Sequence, residues 1–336
     1  MTSTVSSSVV RRTLTALAAA VAVTGAALTA APGIAQAAPG HVTGVEQIGG
    51  QMQLVYVYSP SMDRVIENVV LVPASGAPAP VYYLLHGVGG GVDHVTWRHS
   101  SKYAEFFADE HVLVVSPIGG PGSNYTNWRY DDPVRGPASA NQWETYLTEE
   151  LPEAIDAHFA TTGRNAIGGL SMSAGPALDL AIQAPHRYDA VASYSGCGIN
   201  SGPLGVGQVG AVVASKGGNP FNMWGPPGDP HWLAHDPFTR AGELGGKAIY
   251  LSSASGIPGD VDSIANPLHL PGVMIGGGTV EAVSNECTAS MSQRLNEVGV
   301  PHTFVQRDTG AHTWGLFETD LRHSWNTVIG PALGAK

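Results

Sequence analysis

A series of short, continuously apolar runs, separated by helical patterns, constrains the fold of this chain more than any other feature. Runs of this kind suit strands that are buried on both faces of a parallel sheet. They cover residues 81–85, 112–116, 166–170, 190–194 and 247–252, after two opening strand patterns at 52–58 and 64–71. Helical patterns cover residues 143–159, 174–183 and 281–298. Strands that alternate with helices predict an α/β fold with a mostly parallel central sheet and helices on both faces.

The N-terminal segment predicts export from the cell. Two adjacent arginines precede an apolar run over residues 14–31, and an Ala-Gln-Ala sequence follows at residues 35–37. These features are typical of a secretory signal, so we expect residues 1–37 to be removed and residues 38–336 to form a single domain. A permanent membrane anchor is the alternative, because the run is nearly long enough to span a bilayer.

The charge of the chain argues against two kinds of partner. The formal net charge is −11, and removal of the signal segment, which has two arginines and no acidic residue, takes it to −13. A chain this acidic is a poor match for nucleic acid and for electrostatic docking onto anionic lipid. No second apolar stretch of spanning length follows the first, so we expect the mature protein to be soluble or peripheral to a membrane.

The two cysteines, Cys197 and Cys287, predict one disulfide. Export places them in an oxidising compartment, where thiols pair. Two buried free thiols are the alternative. The sequence has neither a Cys-x-x-Cys pair nor a His/Cys cluster with metal-ligand spacing, so we expect no metal and no cofactor.

Residues 165–173 carry the strongest sign of chemistry. A short buried strand ends at Leu170 and turns through Ser171, Met172 and Ser173 into a helical pattern. In α/β hydrolases such a turn lifts the nucleophilic serine above the sheet and aims the next backbone N–H at the developing oxyanion. The usual motif is Gly-x-Ser-x-Gly, whereas Ser173 stands in the last position here. The pattern predicts Ser171 as the nucleophile of an α/β-hydrolase fold.

A serine nucleophile needs a histidine to take its proton. In α/β hydrolases this histidine comes late in the chain, and the late candidates are His269, His302, His312 and His323. His312 lies in a glycine-containing loop directly after a strand pattern, and such loops at the carboxyl ends of strands form the site. We therefore predict His312 as the general base. His302 begins that strand, and His323 falls in the final amphipathic helix.

The acid that orients this histidine has two candidate positions. Asp260 and Asp262 lie in the loop after the run at 247–252, where position along the chain favours an acid. Glu281 begins a helical pattern after three glycines, although a glutamate there is more often only a favourable partner for the helix dipole. The residues alone leave these alternatives open.

The loop after the run at 81–85 predicts the second part of an oxyanion hole. Residues 86–91 read His-Gly-Val-Gly-Gly-Gly, and glycines let a backbone approach a reacting carbonyl without an intervening Cβ. We predict that the N–H groups of Val88 and Met172 bind the oxyanion. A flexible turn or a phosphate loop is the alternative, but no phosphate-binding glycine pattern follows.

Further segments, spread over most of the chain, share a pattern with one known family. They are residues 82–85 with Gly87, 116–120, 143–152, 169–172, 223–226 with 229–230 and 232, and 312–314. Together they resemble the antigen 85 family of secreted mycolyltransferases, within the esterase-D-like group of α/β hydrolases. The Trp-Glu-Thr segment at 143–145 and the Met-Trp-Gly-Pro segment at 223–226 are more specific than a serine elbow.

The resemblance decides between the candidate acids. The family's glutamate precedes a helix at the place of Glu281, and the family accepts an elbow without the final glycine. The implied triad is Ser171 as nucleophile, Glu281 as orienting acid and His312 as base, with the same two N–H groups forming the oxyanion hole. A disulfide between Cys197 and Cys287 would then brace the helix of Glu281.

The resemblance also identifies residues near the substrate, and there the chain departs from the family. Trp314 would line the acceptor or lipid entrance, next to Thr313. Where the family places an aspartate and an arginine beside the sugar acceptor, this chain has His86 and Gly89, so we do not expect those two side chains to recognise trehalose. The family's fibronectin-contacting stretch aligns poorly with residues 103–111, and that property is not transferred.

The sequence thus predicts a secreted enzyme of an actinobacterial cell envelope, which moves a long-chain acyl group from a glycolipid or other ester onto Ser171 and then to an alcohol. Such ping-pong transfer needs no metal or organic cofactor. The expected partners are the acyl donor, the alcohol acceptor and, peripherally, the lipid-rich envelope. A secreted carboxylesterase with the same triad is the alternative, followed by a catalytically inactive wall-binding protein.

Overall fold

Nine strands form a mixed sheet in the computed structural model, which describes residues 39–262 and 276–336. The strands are β1 His41–Gly49, β2 Met52–Ser59, β3 Arg64–Leu71, β4 Ala79–Leu84, β5 Leu113–Pro117, β6 Thr161–Leu170, β7 Ala190–Tyr194, β8 Ala248–Ala254 and β9 Thr303–Arg307. Their order in the sheet is β1-β2-β3-β5-β4-β6-β7-β8-β9. The pairings among β1, β2, β3 and β5 are antiparallel, and all others are parallel. The predicted mostly parallel sheet is confirmed.

Helices connect the strands. They are α1 Trp97–Ser100, α2 Tyr103–Phe107, α3 Trp143–Thr145, α4 Leu151–His158, α5 Ala174–Gln183, α6 Gly202–Ser215, α7 Pro220–Trp224, α8 Pro230–Ala234, α9 Gly278–Glu297, α10 Trp314–Ser324 and α11 Gly330–Leu333. Single 3₁₀ turns lie at Ala138–Asn141, Ser171–Ser173 and Ala241–Leu244, and π-helical turns at Tyr146–Glu150 and Trp325–Ile329. The helix predicted over 143–159 is therefore α3, a π-helical turn and α4 in succession.

The central strand β4 shows why polar and apolar residues do not alternate in the apolar runs of the sequence. Val81 and Tyr83 pack into a core that includes side chains of α4, α5 and α9. Tyr82 and Leu84 point to the other face and pack into a second core, with side chains of α2 and α10. All four side chains are fully buried, because a strand covered by helices on both faces has no solvated side. The predicted helices on both faces are confirmed.

The sequence prediction misses β1. Its residues are exposed or half-buried and none is buried, so no continuous apolar run marks it. Its backbone pairs with β2 along most of its length, and these backbone hydrogen bonds do not depend on the side chains that a sequence pattern would reveal.

The described residues belong to one compact unit, Ala37–Lys336. The predicted signal segment and His269 lie outside the described residues. Within the part of the chain that the structure describes, no helix combines the length and apolar composition of a membrane span.

The parallel strands carry the predicted site residues to one edge of the sheet. Ser171 follows β6, the loop 86–91 follows β4, and His312 lies in the loop between β9 and α10. The carboxyl ends of parallel strands meet at a common edge, where ligands of open α/β sheets bind. Glu281 reaches the same edge from the first turn of α9.

Candidate active site

Ser171 begins a tight turn between β6 and α5. Its φ is +54°, a left-handed conformation that is strained for a residue with a side chain. Ser173 closes the turn, because its Oγ accepts a hydrogen bond from Leu170 N–H at 2.9 Å and donates one to Leu170 O at 3.0 Å. Gly169 is needed beneath it, since a Cβ there would lie 2.1 Å from the Ser173 carbonyl oxygen. The serine that replaces the motif's last glycine therefore holds the elbow together.

His312 lies against this serine. Its Nε2 is 2.8 Å from Ser171 Oγ, and its ring meets Phe317 edge-on with centroids 5.1 Å apart. The residue adopts a φ of +55°, so the loop backbone is strained at the histidine as it is at the serine. On the other side of the ring, Nδ1 is 2.8 Å from Glu281 Oε2. A carboxylate only accepts hydrogen bonds, which assigns the hydrogen to Nδ1 and leaves Nε2 free to accept the serine proton.

Glu281 is fully buried. Besides His312, its carboxylate has two further donors: Oε1 accepts hydrogen bonds from Ser195 Oγ at 2.8 Å and from Ala254 N–H at 2.7 Å. Three donors compensate the desolvation that a buried charge otherwise suffers. The glutamate is therefore more than a partner for the dipole of α9. Sequence reasoning missed Ser195 and Ala254. Only their positions along the chain could have indicated them: Ser195 follows β7 and Ala254 ends β8, both at the edge of the sheet that carries the site.

The other candidate acids and bases lie elsewhere. Asp260 is exposed, and Asp262 is buried but binds the backbone and side chain next to His312 rather than its ring. His302 Nε2 is 2.7 Å from Ser292 Oγ, and His323 Nδ1 is 3.1 Å from Tyr250 Oη. Of the described candidates, only His312 and Glu281 form a connected series with Ser171.

The predicted oxyanion loop packs directly on the serine. A Cβ on Gly87 would lie 3.0 Å from Leu170 Cδ1 and 3.7 Å from Ser171 Cβ. The next residue, Val88, is fixed through its carbonyl oxygen, which accepts a hydrogen bond from Gly122 N–H at 2.9 Å. Met172 is buried in the first turn after β6, where backbone N–H groups have no acceptor within the helix. Met172 therefore directly follows Ser171 in the chain, and Val88 directly follows the glycine that packs on Ser171.

Two of the predicted substrate contacts have no side chain at the surface of the site. His86 is 1% exposed, and neither of its ring nitrogens has a hydrogen-bond partner among the described residues. Burial lowers the pKa of His86 to about 4, against a small opposing effect of the Asp93 charge, so the ring is neutral at pH 7. Gly89 is buried too, and a Cβ there would lie 2.0 Å from an Asp93 carboxylate oxygen. Neither position offers a substrate a side chain to bind.

The other two predicted contacts lie just beyond His312. Thr313 is half-buried, and its Oγ1 donates a hydrogen bond to Asp262 Oδ1. Trp314 is half-buried and meets Trp97 edge-on, with ring centroids 5.2 Å apart. Trp314 therefore keeps part of its indole open beside the histidine loop.

A cavity of about 240 Å³ opens beside Ser171. Most of its wall surface is apolar, although polar and apolar side chains are equally numerous, and much of the lining comes from the elbow, α6 and α9. The apolar members are Met172, Pro176, Ala211, Val212, Val280 and Val283. Cys197 also lines it and is bonded to Cys287 of α9, 90 positions along the chain. The predicted disulfide is present and ties the segment after β7 to the helix of Glu281. Within the described ranges, no group of three or more His, Cys, Asp or Glu side chains has the arrangement of a metal site.

Comparison of the sequence with known families gives a match to the family described as putative esterase, over residues 59–324. The diacylglycerol acyltransferase/mycolyltransferase Ag85A of Mycobacterium tuberculosis is 31% identical over 298 residues, which cover 85% of this chain and 83% of the relative.

Solved structures agree with this match. MPT51 of Mycobacterium tuberculosis has a TM-score of 0.68 at 26% identity, and the alignment covers 85% of this chain and 99% of MPT51. An S-formylglutathione hydrolase from Agrobacterium tumefaciens has a TM-score of 0.62 at 15% identity, over 88% of this chain and 100% of the other, and shares the fold. The chain is an acyltransferase or a carboxylic-ester hydrolase, and it belongs to the esterase family that includes the antigen 85 mycolyltransferases.

Proposed function

We propose that the protein transfers acyl groups through a covalent ester on Ser171. The observation that carries the proposal is the connected series from Ser171 Oγ to His312 Nε2 and from His312 Nδ1 to Glu281, with 2.8 Å at each link. A serine hydroxyl becomes nucleophilic when a histidine removes its proton, and the histidine does so when a carboxylate stabilises the resulting imidazolium.

The reaction has two halves. Ser171 Oγ attacks the carbonyl carbon of the donor ester while its proton passes to His312 Nε2, and the N–H groups of Val88 and Met172 bind the oxygen that becomes negative. The tetrahedral intermediate collapses, the bond to the donor alcohol breaks, and the imidazolium returns its proton to that alcohol. An acceptor hydroxyl then loses its proton to His312 and attacks the carbonyl carbon of the acyl-enzyme. The ester bond to Ser171 breaks, the imidazolium returns the proton to Ser171 Oγ, and the acyl group is joined to the acceptor.

Glu281 acts in both halves by keeping one orientation and one tautomer of His312. Its carboxylate is held by Ser195 and Ala254 and cannot turn away from the ring. Because the carboxylate is fully buried, its attraction for the imidazolium is weakly screened by water.

The acyl chain of the donor is assigned to the cavity beside Ser171. Its wall is mainly apolar, which favours burial of methylene groups. A 150 Å³ cavity holds benzene, so a cavity of about 240 Å³ holds roughly ten carbon atoms. The carbons nearest the ester occupy it, and the rest of a long chain extends past its mouth towards the envelope lipids.

The acceptor is an alcohol of the cell envelope in the proposal that we favour, as in the antigen 85 relatives named for mycolyl transfer. The secretory-signal pattern in residues 1–37 and the Cys197–Cys287 disulfide support a place outside the cytoplasm. A secreted carboxylesterase is the second candidate, with water as the acceptor. It is favoured by one observation, that the buried His86 and the bare Gly89 present no side chain to a sugar.

One experiment separates these functions. Purified protein is incubated with trehalose monomycolate, or with a short-acyl analogue, and the glycolipid product is measured against free acid. We expect acyl glycolipid from the native enzyme and none from Ser171→Ala, while Ser75→Ala, at an exposed serine far from the site, serves as the matched control. Free acid alone identifies the esterase.

Covalent labelling tests the acyl-enzyme itself. A fluorophosphonate should label the native protein and Ser75→Ala but not Ser171→Ala, since only a serine with an aligned base reacts readily. A folded protein that takes no label would contradict the acyl-enzyme and favour the inactive wall-binding protein.

A further inference from the structure

Asp262 binds the chain on both sides of His312. Its Oδ1 accepts a hydrogen bond from Ala311 N–H at 3.0 Å and another from Thr313 Oγ1 at 2.6 Å. Its Oδ2 accepts one from Gly259 N–H at 2.8 Å. A single carboxylate thus contacts the residue before the histidine and the residue after it, and ties both to the loop that follows β8.

Residues 256–262 of this loop lie in close contact with the loop that carries His312. Gly310 N–H donates to Ile257 O at 2.7 Å, and Gly256 N–H donates to Gly310 O at 2.9 Å. A Cβ on Gly315 would lie 1.7 Å from Val261 O. Ser255 Oγ donates a hydrogen bond to Asp308 O at one end of this contact, and Asp262 supplies the side-chain hydrogen bonds at the other end, next to His312.

His312 needs such support, because its backbone is strained. A φ of +55° is unfavourable for a residue with a side chain and persists only where the surroundings hold it. Ser171, Glu281 and Phe317 contact the imidazole ring. Asp262 is the acid that acts on the backbone instead, through Ala311 N–H.

The charge of Asp262 is otherwise hard to explain. The side chain is buried, at 3% exposure, and none of the ion pairs among the described residues includes it. A buried carboxylate with only neutral donors is costly for folding. Its two oxygens, however, accept the three donors that fix the loop, and a carboxylate is the side chain that accepts on both sides without presenting a donor.

We propose that Asp262 is a positioning residue for the base, and that it acts through Ala311 and Thr313 and not through the imidazole. The proposal rests on the proposed function, in which His312 takes the proton of Ser171. Two acids then position one histidine: Glu281 orients its imidazole ring, and Asp262 holds the backbone on either side of it.

The test compares Asp262→Ala and Asp262→Asn with the native enzyme, and uses Asp260→Ala, at an exposed acid two positions away, as the matched control. Hydrolysis of p-nitrophenyl butyrate gives kcat and KM, and a fluorophosphonate gives the labelling rate of Ser171. We expect Asp262→Ala to lower kcat and the labelling rate about 10- to 100-fold, the loss expected when donors lose a charged acceptor. KM should stay within about twofold, and Asp260→Ala should leave all three quantities unchanged.

Asp262→Asn keeps one oxygen acceptor but presents an NH₂ group to Gly259 N–H. We expect an intermediate loss of kcat, about 3- to 10-fold. Native kcat in folded Asp262→Ala, or a loss that only follows the folded fraction measured by near-UV circular dichroism, would overturn the proposal. If Asp262→Ala does not fold, native kcat in Asp262→Asn would overturn it. A native enzyme that neither hydrolyses the ester nor takes the label would overturn the proposed function as well, whereas an active native enzyme with equally active Asp262 variants overturns this inference alone.

Discussion

Ser195 Oγ donates a hydrogen bond of 2.8 Å to Glu281 Oε1, the carboxylate oxygen that faces away from His312. Ser195 is fully buried and holds a φ of +49°, so a strained serine positions the acid that positions the base. Ser171, Ser195 and His312 all have a strained backbone, and they are linked to one another through the Glu281–His312 hydrogen bond. Strain of this kind is maintained where surrounding contacts determine the backbone.

Two replacements of Ser195 distinguish the effect of its hydrogen bond from the effect of its strained backbone. Ser195→Ala loses the donor and keeps the strained φ, so we expect kcat to fall about tenfold, because a hydrogen bond to a charged group contributes about 1.5 kcal/mol. Ser195→Gly loses the same donor but tolerates the φ, so its kcat should match that of Ser195→Ala while its free energy of unfolding is about 1 kcal/mol higher. Ester hydrolysis and urea denaturation measure the two effects. Native activity in either variant would show that the hydroxyl does not support Glu281.

The disulfide should stabilise both the fold and the site. Cys197 and Cys287 are 90 positions apart, and closing a loop of that length in the unfolded chain contributes about 2–5 kcal/mol of stability. We expect the double variant Cys197→Ser/Cys287→Ser to lose stability in this range. Its kcat should fall by a larger factor than its KM changes, because α9 carries Glu281. Thermal denaturation with and without a reducing agent checks the first part. A reducing agent should lower the melting temperature of the native protein and leave that of the double variant unchanged.

The buried His86 should make the protein sensitive to acid. Burial lowers the pKa of His86 from 6.5 to about 4, so between these values the unfolded chain binds a proton that the folded chain does not. Its contribution to stability is complete above pH 6.5 and is lost as the pH falls towards 4, with a loss of about 2 kcal/mol by pH 5.

The variant His86→Phe tests this pH dependence. It cannot bind the proton, and it removes no hydrogen bond that the described residues make with the ring. Urea denaturation at pH 7 and pH 5 should show a smaller acid-induced loss of stability than in the native protein. His158→Phe, at an exposed histidine, is the matched control and should behave as the native protein does; equal losses in all three proteins would contradict the assignment.

The parts of the site that were predictable from the sequence are those with a local pattern. The turn at Ser171 shows a strand, a serine and a helix within a few positions, and His312 shows a strand followed by a glycine loop. Ser195 contacts Glu281 across 86 positions, and Asp262 contacts Ala311 across 49. No local pattern marks such pairs, because only the register of β7, β8 and β9 brings their loops together.

His86 stands where the resemblance implies a residue near the substrate. Its side-chain direction could not be predicted, because that direction depends on packing that the sequence does not display. A Cβ on Gly91 would lie 2.9 Å from His86 Cδ2, so the glycine loop itself covers the ring. The loop that we propose binds the oxyanion thus also separates the His86 ring from the site.

The cavity beside Ser171 should set the preference for acyl length. Val212 of α6 is half-buried and lines this cavity, whereas Val206 of the same helix lines a separate groove on the surface. Val212→Phe should exclude two or three methylene groups, each of which contributes about 0.8 kcal/mol when buried. We expect kcat/KM for p-nitrophenyl decanoate to fall about 30-fold, with kcat/KM for the acetate within about twofold of the native value. Val206→Phe should alter neither ester, since it adds the same ring outside the cavity. An equal fall for both esters in Val212→Phe would mean that the chain binds elsewhere, and that the substitution disturbs the elbow rather than the acyl site.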